Sequence, residues 1–193
     1  MKKAILIGAS GCGKTTLIQR IERQAMAYDK TQVVRHYLNF IDTPGEYLQQ
    51  RRLYRALIIS SVDADEIGLV QDCTRENTWI PPSFATTFAK PIFGVVTKLD
   101  LAKSPKQVEY ARGAVAMGGA GAIFAVSAVT GQGIKALYDY LNLPIRSSLH
   151  RVRRARNRVT AQTVLSPEFG DIPLDELDGA DQAVLDMTLD GGR

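Results

Sequence analysis

The chain alternates between short, continuous apolar runs and longer stretches in which apolar residues return at helical spacing. Ala4-Ile5-Leu6-Ile7 predicts a buried strand, and Leu17, Ile18, Ile21, Ala25 and Met26 predict a helix from 14 to near 28. The β-formers over 33–41 predict one strand, ended by the turn Asp42-Thr43-Pro44-Gly45-Glu46. Leu48, Leu53, Ala56, Leu57 and Ile59 predict a helix over 47–59, and residues 66–71 read as a buried strand. A loop holding Trp79, Pro81 and Pro82 leads into a short helix ending near Phe88. Residues 91–96 form the next strand. Ser104 and Pro105 then mark the cap and first position of a helix through Met117, stopped by Gly118-Gly119-Ala120-Gly121. A strand over 122–126 and a closing helix through Ile134, Leu137, Tyr138 and Leu141 complete the series.

Strands that are apolar throughout belong to a sheet covered on both faces. The expected fold is therefore α/β, three layers around a mostly parallel central sheet, over residues 1–145. In such sheets ligands gather at the carboxyl ends of the strands. The polar signals at 8–15, Asp42, Asp100 and Ser127 all fall at predicted strand ends, on one edge.

The first of these is Gly8-Ala9-Ser10-Gly11-Cys12-Gly13-Lys14-Thr15, which fits G-x-x-x-x-G-K-[ST] at every fixed position, between a strand and a helix. Its glycines let the backbone curl so that successive amides, among them those of Ser10, Gly11, Cys12, Gly13 and Thr16, converge on one phosphate chain. Lys14 adds a point charge for the β- and γ-phosphates, and the Thr15 hydroxyl can hold Mg²⁺. The following helix turns its positive end to the same anion. A nucleotide-binding chain is expected.

Asp42-Thr43-Pro44-Gly45 has the form D-x-x-G, 28 residues after Lys14. A carboxylate there suits Mg²⁺, and the Gly45 amide can meet a γ-phosphate. Thr97-Lys98-Leu99-Asp100 has the form [NT]-K-x-D. Asp100 can accept two hydrogen bonds from guanine N1 and its 2-amino group, which adenine does not supply, while the Lys98 stem lies along the base. Ser127-Ala128 would set a backbone amide against guanine O6.

Composition narrows the partners. Of the 193 residues, 45% are apolar and 23% charged, ordinary for one globular domain. The net charge of +4 is uneven: residues 1–145 carry 17 Lys/Arg against 12 Asp/Glu, and 146–193 carry 7 against 8. The excess thus sits where phosphates would bind, and nucleic acid is not an expected partner. Two cysteines, Cys12 and Cys73, make no disulfide framework, and no apolar run approaches a membrane span of about 18 residues. The expected setting is cytoplasmic.

In this order, the four motifs resemble those of the small Ras-like GTPases. More narrowly, Lys30-Thr31-Gln32, Ile41-Asp42-Thr43-Pro44-Gly45-Glu46-Tyr47 and Thr97-Lys98-x-Asp100 resemble the ethanolamine-utilisation EutP and propanediol-utilisation PduV family, over roughly residues 1–143. The resemblance implies a P-loop protein binding GTP/GDP, or ATP, with Mg²⁺, attached to a bacterial catabolic microcompartment. Family members are described variously as GTPase-like, ATP-binding or acetate-kinase-like.

Against the Ras-like pattern three positions differ. Thr97 replaces the usual Asn and offers a shorter side chain with fewer hydrogen bonds. Only eleven positions separate Thr31 from Asp42, too few for a full Ras-like strand pair. Thr31 is either a solvated loop threonine or the mobile threonine that closes on Mg²⁺ and the γ-phosphate. Glu46 stands where Ras-like proteins carry a water-orienting Gln; its carboxylate repels the γ-phosphate yet could act as a base. Slow hydrolysis assisted by Lys14, Thr31 and Glu46 is expected.

Arg51, Arg52 and Arg55 form either a solvated helix face or a docking surface. His36 and His150 lack zinc-ligand spacing. Residues 146–193 are read as a charged, flexible appendage, basic over 150–158 and acidic over 168–190. Leu174, Leu177, Val184, Leu185 and Met187 could form a short amphipathic helix that docks on a microcompartment shell or cargo protein. Three functions follow: a Mg²⁺-dependent GTPase-like switch, an ATP-dependent phosphotransferase acting on a small carboxylate, or a scaffold that binds nucleotide without turnover.

Overall fold

The computed structural model describes residues 2–26 and 30–143. By contacts the chain divides into a unit of Met1–Asn142 and a second of Leu143–Arg193, of which Leu143 is described. The expected boundary at 145/146, the charged tail and its amphipathic helix lie outside the described residues, as does the last part of the helix expected up to 28.

Six strands make one sheet: β1 (Ala4–Gly8), β2 (Arg35–His36), β3 (Phe40–Asp42), β4 (Glu66–Asp72), β5 (Ile92–Thr97) and β6 (Ala122–Ala125), in the order β2-β3-β1-β4-β5-β6. Every pairing is parallel except β2 with β3. β1 and β4 run in register from Ala4↔Glu66 to Gly8↔Val70, and β5 continues the edge with Asp72↔Thr97. β1 is the switch point, with β3 on one side and β4 on the other, and the crevice above it is where such sheets bind ligands.

Both faces are covered, which is why the strands are apolar throughout. Ile5, Ile7, Ile67, Leu69 and Val96 pack with α2 (Glu46–Gln49), α3 (Tyr54–Ser61) and α4 (Pro105–Met117) through Leu48, Leu57, Ala111 and Val115. On the opposite face α1 (Lys14–Ile21) buries Leu17, Ile18 and Ile21, and α5 (Ile134–Tyr140) sets Tyr140 against Phe93 and Phe124. Phe93 is fully buried, so truncating it to alanine would cost about 3–5 kcal/mol. The α/β, three-layer expectation describes this fold. No helix among the described residues is long and apolar enough to cross a membrane.

Five local expectations are corrected. α1 ends at Ile21: the chain turns through Arg23 at φ 53°, and the Glu22 carboxylate accepts from the Asn39 amide, so Ala25 stays exposed despite its spacing. The strand expected over 33–41 is a short antiparallel pair, folded where the Tyr37 amide donates to the Phe40 carbonyl. Eleven positions after Thr31 therefore accommodate two paired residues on each strand, Arg35↔Asp42 and His36↔Ile41. The helix expected over 47–59 breaks at Gln50, extended at φ −121° and ψ 109°, and resumes through a 3₁₀ turn at Arg51–Leu53. The short helix near Phe88 is 3₁₀, Phe84–Thr87, anchored by the Phe84 ring edge-on to Tyr54 and Phe88. Ser104 does occupy the cap position of α4, but its hydroxyl makes no capping bond; the Gln107 side chain accepts from the Lys103 amide just before the helix.

Candidate nucleotide site

The loop after β1 curls because Gly13 caps α1 at φ 93° and ψ 13°, a conformation that an L side chain would strain. Lys14 folds over it, 5% exposed, and its ammonium donates to the Gly8 and Ala9 carbonyls at 2.8 and 3.0 Å. The Cys12 thiol is buried beside it, 3.7 Å from Nζ. Gly45 lies against this loop so closely that a Cβ there would meet the Ser10 nitrogen at 2.1 Å.

A cleft of about 360 Å³ opens here. It is lined by Ser10, Gly11, Gly13, Lys14, Thr15 and Thr16 of the phosphate loop and α1, by Lys30 and Thr31, and by Thr43, Gly45 and Lys98. Segments distant in sequence thus meet at the carboxyl edge of the sheet. Thr43 is fully buried, its hydroxyl donating to the Leu6 carbonyl at 2.7 Å, which fastens the D-x-x-G turn to β1.

Thr15, Thr31 and Asp42 form an oxygen triangle. Asp42 Oδ2 accepts from Thr15 Oγ1 at 2.5 Å and from Thr31 Oγ1 at 3.0 Å, and the two hydroxyls are 2.9 Å apart. Asp42 is fully buried, yet its Oδ1 has no partner among the described residues. A carboxylate with one oxygen met by two hydroxyls and the other unpaired suits a hard divalent cation that takes one carboxylate and completes its shell with water and phosphate oxygens, as Mg²⁺ does. Among the described residues no three His, Cys, Asp or Glu side chains gather, so a softer metal has no ligand set there.

On the base side, Asp100 Oδ1 accepts from the Ser127 hydroxyl at 2.5 Å, orienting the carboxylate. The Ser127 amide donates to the Gln132 carbonyl and is engaged within the protein. Thr97 is 3% exposed and its hydroxyl donates to the Cys12 carbonyl at 2.6 Å, linking this side to the phosphate loop. Asp100, Ser127 and Ala128 do not line the cleft; Lys98 does. Glu46 also stands outside it, at the first position of α2, paired with Lys30 Nζ at 2.5 Å where both are about half exposed. Arg51, Arg52 and Arg55 are exposed and line no part of it.

Two charged residues here were not expected from the sequence. Asp72, the last residue of β4, is 1% exposed and pairs with Lys98 Nζ at 2.6 Å. Burial pushes its carboxyl up, but the hydrogen bonds from Lys98 and Thr74 together outweigh that and hold it below the ordinary range. Arg75 donates through Nη2 to the Ser10 carbonyl at 2.7 Å. The one signal that could have marked Asp72 is its place at a strand end on the ligand edge.

The chain is similar to several known proteins. The PduV-EutP family, ethanolamine utilisation–propanediol utilisation, matches residues 1–143. A propanediol utilization protein PduV of Citrobacter freundii is 40% identical over 151 residues, covering 77% of this chain and 99% of that protein. A probable acetate kinase EutP of Salmonella typhimurium is 33% identical over 52% of this chain and 65% of its own length. GTPase Era of Sinorhizobium medicae is 29% identical over 70% of this chain and 50% of that protein. Among solved structures, a bacterial selenocysteine-specific elongation factor EF-Sec shares the fold, with a TM-score of 0.50 and 23% identity over 73% of this chain and 28% of its own.

Proposed function

The chain belongs to the PduV-EutP family, P-loop GTPase-like proteins of propanediol and ethanolamine utilisation, and on that premise we propose that it is a Mg²⁺-dependent guanine-nucleotide switch with slow GTP hydrolysis. The observation that carries this reading is that the phosphate loop, Thr31, Gly45 and Lys98 converge on one cleft.

In this reading Lys14 and the amides of residues 10–16 bind the phosphates, exchanging Lys14's carbonyl partners for phosphate oxygens. Thr15, Thr31 and Asp42 would hold Mg²⁺, which when bound would supply charge neutralisation for the phosphates. The Gly45 amide orients the γ-phosphate. Asp100, Lys98 and the Ala128 amide read guanine. Glu46, released from Lys30 or through its second oxygen, accepts one proton of the attacking water as the water oxygen bonds to γ-phosphorus and the bond from γ-phosphorus to the β–γ bridging oxygen breaks, giving GDP and inorganic phosphate. Placement at a microcompartment, through a shell or cargo protein bound by residues 165–193, belongs to the same proposal. Deleting 165–193 without changing partners or location would remove that part.

The name of the EutP relative favours a second reading, transfer of an ATP phosphoryl group to acetate or a similar carboxylate. Phosphate release from GTP and ATP, measured with and without acetate and with EDTA as control, separates the two. The switch predicts slow, acetate-independent, EDTA-sensitive release from GTP that is lost in Lys14→Ala. Acetate-dependent consumption of ATP would establish the phosphotransferase. Binding without turnover of either would leave the scaffold.

A further inference from the structure

Outside the sequence motifs, one buried carboxylate faces both halves of the site. Asp72 Oδ1 accepts from the Thr74 amide at 2.8 Å and the Thr74 hydroxyl at 2.7 Å. Its Oδ2 lies 2.6 Å from Lys98 Nζ and 3.6 Å from Arg75 Nε. Both carboxylate oxygens are therefore committed, and the group is buried because its charge is matched.

Lys98 is constrained along its whole length. Its backbone is left-handed, φ 62° and ψ 36°, although it is not glycine. That conformation is held by the Cys73 thiol, which donates to the Lys98 carbonyl at 3.2 Å, and by the Leu99 amide, which donates to the Val126 carbonyl at 3.2 Å. At the other end Asp72 fixes the ammonium. A lysine stem anchored at both ends is a rigid apolar strip, whereas an unanchored one would lose rotamer freedom each time a base lay on it. On the far side of Asp72, Arg75 reaches the phosphate loop at Ser10.

We propose that Asp72 is a positioning residue for nucleotide recognition, fixing the Lys98 stem as a preformed platform for the base. The proposal rests on the nucleotide-site reading above. It treats Asp72 as acting through Lys98, not as touching the ligand.

The test is calorimetric titration of the full chain with GDP and with inorganic tripolyphosphate, each with Mg²⁺, because tripolyphosphate carries phosphates without a base. The chains are the wild type, Asp72→Asn, Lys98→Met and the double variant, with Asp72→Glu as a charge-retaining variant should Asp72→Asn not fold. Asp72→Asn is expected to weaken GDP at least tenfold and tripolyphosphate less than threefold. The double variant should bind GDP within twofold of Lys98→Met alone. Asp72→Glu should lose GDP affinity three- to tenfold, with tripolyphosphate unchanged. Unaltered GDP binding in the folded variants, equal losses for both ligands, or independent losses in the double variant would overturn the proposal. A wild type that bound neither ligand would instead overturn the nucleotide reading on which it stands.

Discussion

The Thr97 hydroxyl donates to the Cys12 carbonyl at 2.6 Å, tying the end of β5 to the middle of the phosphate loop. Sequence alone marks Thr97 as a shortened substitute for Asn. In the folded chain the loop comes close, since a Cβ on Gly13 would lie 3.6 Å from the Thr97 side chain, and one hydroxyl spans the gap. Thr97→Val keeps the shape and removes the donor. It should destabilise the protein by about 1–2 kcal/mol, lowering the melting temperature by about 3–10 °C, and weaken nucleotide binding as well. A melting curve unchanged from wild type would show that the bond contributes nothing.

Gly45 is set by close approach, not by an unusual dihedral. Its φ is −62°, which any residue adopts, but a Cβ would meet Ser10 N at 2.1 Å, Ser10 Cα at 2.3 Å and Ala9 C at 2.5 Å. Backbone cannot yield as a flexible side chain does. Gly45→Ala should therefore displace the phosphate loop and weaken GTP binding at least a hundredfold, as read by fluorescent-nucleotide titration. Near-normal affinity would mean that the loop and the D-x-x-G turn separate freely.

Much of this arrangement is legible in the chain, for identifiable reasons. The phosphate loop can be read because its chemistry is local: glycines, Lys14 and Thr15 sit within eight residues between a strand and a helix. The start and end of α4 can be read because Pro105 and Gly118 punctuate it. The break at Gln50 and the fold-back at Tyr37 carry no Gly or Pro, so periodicity runs across them. Asp72 and Arg75 are ordinary residues in sequence. They acquire meaning only when β5 lies beside β4 and brings Lys98 to within 2.6 Å.

Glu46 stands at the first position of α2, directly after Gly45. Its pairing with Lys30 joins the loop of Thr31 to α2, and both partners are half exposed. If its carboxylate takes the proton of the attacking water, Glu46→Gln should slow GTP hydrolysis by about 10²-fold, with GTP affinity retained or raised. Unchanged single-turnover hydrolysis would remove Glu46 from the reaction and leave it as a partner of Lys30.

The depressed carboxyl of Asp72 gives a pH signature. A group whose pKa is lower folded than unfolded stabilises the protein above its unfolded value, here about 3.8, and loses that contribution as pH falls through the folded value. Asp72→Asn should therefore be less stable than wild type at pH 7, and the difference should shrink as the pH is lowered to 4 and below. Urea melts at pH 7, 5 and 3.5 read this directly. A stability gap that stayed constant with pH would mean that the charge of Asp72 is not what matters.

The most direct measurement is equilibrium binding of GTP and of ATP, each with Mg²⁺, to the wild type and to Asp100→Ala. The Ser127 hydroxyl holds the Asp100 carboxylate at 2.5 Å, and guanine offers that carboxylate two donors that adenine does not. The account predicts that wild type prefers GTP over ATP by at least a hundredfold and that the variant loses most of that preference, about 2–3 kcal/mol of discrimination. Equal binding of the two nucleotides, or a preference for ATP indifferent to Asp100, would contradict it.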